Sequence, residues 1–425
     1  MRKFLEVFWL ELTAIVRSWT LAMLLAASVV WMLVFPYVVK GDGTAEGMRE
    51  MYIRYSLGGV FALLVVSLLA SATGALAKER AAKRLQLTLV RPVRYFTVAL
   101  GKVAAYAVTG AFVLAVAAGI LLVRVDPSVR CSHVVGSVLP SPQEEARSRY
   151  AEYMQSPDTP EQVKKAKKAV VLRILTQRAI DYYQTLATNE TAAWKFDLRR
   201  FDDAAARPLD LAVRMRFTNQ FEMRQDVRGV FRLGEREGVV SNITQAVLTV
   251  PLSSAGASPL TEAEELTFHN RGVNALMLRP RKDLHLLVPA DAFWLNLLRA
   301  WLEMTAVLAL VIGFGMFLSA ALGRPVALFV AIVVLLVSEM SPSVVEQYPD
   351  SLETDRIDRI GLMLTRFAAE VTHPISELSP LEALSKDECV EPREVARALL
   401  VDLAAVPLFL SLLAAFVMPY KQDDL

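Results

Sequence analysis

Four ionisable side chains fall inside long apolar stretches of this chain: Lys102, Arg299, Glu303 and Asp402. Charge is costly in such surroundings, so residues of this kind face a protein partner or a water-filled path. Glu303 and Asp402 are the candidates for lining a path. Arg299 and Glu303 are one helical turn apart and can instead pair with each other. The cysteines, Cys131 and Cys389, form no CxxC pair. Three readings stay open for them: a mutual disulfide, two buried thiols, or a zinc site shared with His133 and His373. The last matches no standard ligand spacing, so no metal site is assigned. No GxxxxGK[ST] phosphate loop occurs, since the Gly101-Lys102 pair lacks the earlier glycine. HExxH and GxSxG are absent too. The chain is therefore expected not to be an enzyme and to bind no cofactor itself.

These charges must be positioned by membrane helices. Of the 425 residues, 54% are apolar, above the usual range for a soluble domain. A helix needs about 20 apolar residues to cross a bilayer. Trp19–Val39, Leu57–Ala77, Ala99–Val123, Leu298–Leu322 and Val395–Met418 meet that length, and Pro325–Met340 follows the fourth after only Gly323 and Arg324. Six spans are predicted. The segment before the first is amphipathic, with Trp9 and Trp19 suited to the headgroup level, and reads as an interfacial helix. Lys and Arg flank the spans on one side: Arg2, Lys3, Arg17, six basic residues between 78 and 94, Arg324 and Lys421. That bias places both termini in the cytoplasm. The loop at 341–393, rich in Asp and Glu, then lies outside, as does the long insert between spans three and four.

The loop at 78–98 holds more than charge. Ala81, Ala82, Leu85 and Leu89 fall on one side of a helix, with Arg80, Lys83 and Arg84 on the others. Pro92 breaks that helix at Arg91. A short helix lying on the inner surface, among lipid phosphates, would pass a push to spans two and three. Glu79, Leu87, Leu89, Pro92, Val93, Gly101 and Lys102, together with the interfacial helix, the six spans and Leu378–Leu384, resemble the permease subunits of type-2 ABC exporters. The resemblance covers about half of the chain. It implies that the loop is a coupling helix docking on a separate cytosolic ABC ATPase, with Glu79, Arg80, Arg84, Leu87, Leu89, Pro92 and Arg94 at the contact. It also implies a second permease copy or homologue, and ATP consumed by the partner subunit. Many such permeases have only a short loop between spans three and four, whereas here 125–293 intervenes.

That insert reads as α+β. Residues 143–187 have helical periodicity, with Thr159 and Pro160 as a helix start. Residues 194–290 hold six or more short alternating segments bounded by turn residues, which predicts an antiparallel β-sandwich of jelly-roll or immunoglobulin type. Trp194, Tyr182 and Tyr183 are candidates for a binding platform or for ordinary core packing. The expected organisation is thus 1–124 with spans one to three, 125–293 as an extracytoplasmic domain, and 294–425 with spans four to six. The expected place is the cytoplasmic (inner) membrane, with lipid as a partner and no nucleic acid. The rival reading is a non-transporting envelope anchor that displays the sandwich for adhesion or assembly.

Overall fold

The computed structural model describes residues 2–38, 45–81, 94–126, 128–157, 160, 163, 166, 168–199, 211–218, 225–244, 247–253, 263–347 and 379–420. Its first helices are α1 (Arg2–Arg17), α2 (Trp19–Val38), α3 (Ala45–Tyr52), α4 (Gly58–Ala81) and α5 (Tyr95–Arg124), with a π-helical turn at Ile53–Leu57 joining α3 to α4. The insert contributes α6 (Pro142–Gln155), α7 (Lys168–Ile180) and the strands. Then follow α8 (Phe293–Ala321), α9 (Arg324–Gln347), α10 (Ser379–Ser385), α11 (Pro392–Ala398), a π-helical stretch at Leu399–Ala405, and α12 (Val406–Tyr420). The chain divides into a helical unit, which includes Met1–Cys131 and resumes at Ala292, and a second unit, which includes Ser132–Asp291.

Among the described residues, five helical segments are long and apolar enough to cross a membrane: Trp19–Val38, Gly47–Glu79, Tyr95–Arg124, Phe293–Ala321 and Pro392–Met418. The expected run Pro325–Met340 lies within α9, whose apolar part Arg324–Leu336 is shorter. The protein is thus a membrane-embedded helical protein with a β-rich unit. In α2, Leu24, Ser28 and Met32 are buried at a spacing of four, so one narrow stripe faces the bundle. By contrast α8 is buried around most of its circumference and is the central helix. Small residues let its neighbours approach. A Cβ on Gly315 would stand 2.9 Å from Leu69 Cδ1 and 3.2 Å from Ala72 Cβ of α4. One turn on, the buried Ser319 Oγ accepts hydrogen bonds from the Leu76 and Ala77 amides, each at 3.1 Å.

In the second unit, the strands are β1 (Arg130–Gly136), β2 (Gln184–Leu186), β3 (Thr191–Asp197), β4 (Leu211–Arg216), β5 (Asp226–Leu233), β6 (Arg236–Ile243), β7 (Val247–Leu252), β8 (Ala263–Asn270), β9 (Leu276–Leu278) and β10 (Leu284–Ala292). One sheet has the order β1-β10-β4-β7, a second β3-β8-β5-β6, and β2 pairs with β9. Alternation fixes which side is buried: Ala192, Trp194 and Phe196 point inward from β3, while Leu211, Val213 and Met215 do so from β4. The Phe268 ring packs at a tilt against Phe217 and Phe231, with centroids 4.9 and 4.5 Å away. Ser141 starts α6 with a capping box: its hydroxyl accepts from the Glu144 amide, and the Glu144 carboxylate accepts from the Ser141 amide. Those bonds hold the Glu144 carboxyl below its usual range.

Three expectations are corrected here. Helix over 143–187 stops at Ile180, because Gln184–Leu186 pairs as a strand with Leu276–Leu278; tertiary pairing overrides the local periodicity. Trp194 belongs to the core and donates to Gln184 Oε1 at 2.9 Å, so it is no part of a surface platform. The loop at 341–393 is shortened at its start, where α9 remains helical to Gln347. Thr159 lies outside the described residues.

The aromatic core generates a prediction. At Gly229 an added Cβ would crowd the Phe268 ring and lie 2.7 Å from the His269 carbonyl oxygen. Phe268→Ala should cost about 3–5 kcal/mol through cavity formation, and Gly229→Val should destabilise through overpacking. Limited proteolysis of the full chain should cut the second unit first in both variants. Unchanged protection of that unit would contradict the packing described.

Candidate functional site

Lys102 lies within the apolar helix α5, and its side chain is 5% exposed. Its Nζ donates to Glu11 Oε2 at 2.6 Å and to Glu79 Oε1 at 2.9 Å. Tyr106 lies one turn further along α5. Glu11 comes from α1, Glu79 from the last turns of α4, and Lys102 from the first half of α5. One ammonium thus joins three helices, and it does so at the two ends of the 82–93 segment.

Local sequence explains how α1 reaches it. Phe4, Val7, Phe8, Glu11, Leu12 and Ile15 recur at helical spacing and form the less exposed side of α1. Where that side crosses α5 the residue is Gly101. A Cβ there would stand 2.8 Å from Val7 Cγ1 and 3.3 Å from the Phe8 amide nitrogen. Glycine therefore admits the α1 backbone, and the next residue holds the carboxylate that α1 brings. An unpaired ammonium in this setting would be strongly destabilising, and the same holds for each carboxylate left behind.

At the opposite end of the helical unit a second cluster holds the turn before α11. Cys131 and Cys389 form a disulfide, so neither is a free thiol or a zinc ligand. Cys131 is the last residue of the helical unit and the second residue of β1, so the bridge ties the start of that strand to the turn before α11. Asp387, at φ 56°, pairs with Arg49. The fully buried Asn296 of α8 donates to the Glu388 carbonyl at 2.7 Å and accepts from the Val390 amide at 2.8 Å. Four consecutive residues, Asp387 to Val390, are thereby pinned to α3, α8 and Cys131.

The remaining candidates are dispersed. Arg80 sits in the last turn of α4, and Arg94 is the exposed residue preceding α5. Arg84, Leu87, Leu89 and Pro92 lie outside the described residues. Arg299 and Glu303 are half-buried on α8. Asp402 is buried within the π-helical stretch ahead of α12. Among the described residues no group of three His, Cys, Asp or Glu side chains is placed to hold a metal ion. Tyr183 is partly exposed and carries the Arg279 guanidinium 5.4 Å from its ring centre.

Sequence reasoning missed Glu11. The available signal was a lysine inside an apolar run, which demands a carboxylate, combined with an acid on the otherwise apolar side of α1. Asn296 was missed too, since one buried asparagine gives no pattern. No family model, curated protein or solved structure matches the chain.

Both clusters can be tested by stability. Lys102→Met should cost about 3–5 kcal/mol by orphaning two carboxylates, and Gly101→Leu should lift α1 and expose its Val7 side to protease. Removing the disulfide with Cys131→Ser should cost about 2–5 kcal/mol. Thermal unfolding of the detergent-solubilised chain reads all three; wild-type midpoints would contradict the roles given.

Proposed function

We propose that this chain is the membrane-spanning permease subunit of an ATP-driven ABC exporter. In this reading α9 completes six spans, and both termini face the cytoplasm across the inner membrane. Two copies, or one copy and a homologue, pair in the bilayer, and the β-rich unit stands outside, where it receives or gates cargo. A separate cytosolic ATPase docks on the segment 79–94 and supplies the energy.

The observation that carries the reading is the Lys102 clasp. The resemblance concerns Glu79, Gly101 and Lys102 among others, and these residues are joined by a direct ion pair and a close helix contact. The 82–93 segment leaves α4 close after Glu79 and enters α5 shortly before Lys102. Force applied to that segment would meet a rigid base, because α4 and α5 are tied there to each other and to α1. A basic loop that served only to set topology would need no such base.

The direct experiment is co-purification. The chain should capture an ATPase subunit that carries a phosphate loop. Reversing charge with Arg80→Glu and Arg84→Glu, or replacing Pro92 with Ala, should leave membrane insertion intact and uncouple ATP hydrolysis from transport. Glu79→Gln should lower coupling at least ten-fold, which corresponds to about 1.4 kcal/mol. Normal transport in these variants, or persistent failure to capture an ATPase, would overturn the proposal.

A further inference from the structure

Two cations converge at the α4–α9 crossing. Gly74 has no side chain, and over it lie Arg324 Nε and Lys78 Cε, 3.1 and 3.5 Å from the point where a Cβ would stand. Both residues are exposed, and among the described residues neither has a carboxylate partner. Among the described residues, the acids near this end of the helical unit are already engaged. Glu11 and Glu79 bind Lys102, and Glu6 pairs with Arg2. Like charges brought to one point repel each other, and an anion between them removes the repulsion and gains charge-assisted hydrogen bonds.

The wall beside this pair is apolar and uncovered. Val326, Phe329 and Leu336 follow Arg324 along α9 and are 51%, 68% and 61% exposed. An anion with a hydrocarbon tail matches both features: its head at the cations, its chains along Phe329 and Leu336. A small soluble anion would use only the first. We propose that Lys78 and Arg324, seated over Gly74, form a headgroup site for an anionic phospholipid of the surrounding bilayer. The site rests on the membrane setting of the reading above but needs no ATPase, so the two can fail separately. It would place a lipid against α4 one turn before Glu79, where its occupancy stiffens the base of the 82–93 segment.

The test uses the full chain in a neutral detergent, titrated with phosphatidylglycerol, phosphatidylcholine or inorganic phosphate, with thermal unfolding as readout. Phosphatidylglycerol should raise the midpoint by roughly 2–4 °C for tenfold-level preferential binding, and phosphatidylcholine and phosphate should not. Lys78→Gln with Arg324→Gln should abolish that rise, while Arg324→Lys should restore part of it to the Arg324→Gln background. Arg94→Gln, a cation elsewhere on the same rim, should keep the full response. Mass spectrometry of the intact, detergent-purified chain should show retained phosphatidylglycerol that the double variant lacks, which keeps the test valid even if that variant is less stable. Equal stabilisation by phosphatidylcholine, full reproduction by inorganic phosphate, or an undiminished response and lipid retention in the double variant would overturn the site.

Discussion

An ammonium group inside an apolar helix has to be answered by a carboxylate, and the arrangement of the helical unit around the first half of α5 follows from that requirement. Lys102 takes two, from Glu11 and Glu79. Each pairing fixes a helix: α1 cannot leave the surface of α5 without abandoning Glu11 in low dielectric, and α4 cannot turn about its axis without withdrawing Glu79. Burial makes the pairing hard to break rather than simply stabilising. The desolvation of three charges offsets much of their attraction, but loss of any one leaves the others uncompensated. Such a cluster specifies one arrangement more than it adds to net stability. Gly101 is part of the same device, because a side chain there would hold α1 away and leave the ammonium without its first partner.

The opposite end of the helical unit uses different chemistry for a comparable purpose. A disulfide, the Arg49–Asp387 pair and the Asn296 side chain fix four residues ahead of the last membrane helix. Covalent and hydrogen-bonded links suit an aqueous boundary, where an ion pair alone is worth little. Between the ends, α8 is packed through small residues and needs no charge to hold its place. The helical unit is therefore tied at both boundaries and close-packed in the middle. A push delivered at 82–93 would then move helices as bodies, since the bonds that would have to yield locally are the costly ones.

Much of this architecture was legible in the sequence. Membrane helices announce themselves because the bilayer sets a length that few soluble segments reach; on that basis Trp19–Val39 and Leu298–Leu322 were expected, and the helices run Trp19–Val38 and Phe293–Ala321. The alternating strands β3, β4, β5 and β8 were legible because one face of each is buried. Elements decided by distant partners were not. Gln184–Leu186 follows a helical pattern and becomes a strand only because Leu276–Leu278 lies beside it. Cys131 and Cys389 carry no signal of mutual proximity in their spacing. Glu11 looked like an ordinary charge on an interfacial helix, since its role depends on a glycine 90 residues away. Pairings across long sequence separations are what single-sequence periodicity cannot encode.

The claim that one lysine makes α1 and the end of α4 act together has a direct test. Glu11 and Glu79 both contact Lys102, so their energetic coupling should pass through it. In a double-mutant cycle on thermal stability, Glu11→Gln and Glu79→Gln should be non-additive by about 1 kcal/mol or more. Repeated in a Lys102→Met background, the part of the coupling carried by the ammonium should be lost, leaving only the direct repulsion of the two carboxylates. Strict additivity with Lys102 present, or equal coupling in its absence, would contradict the account.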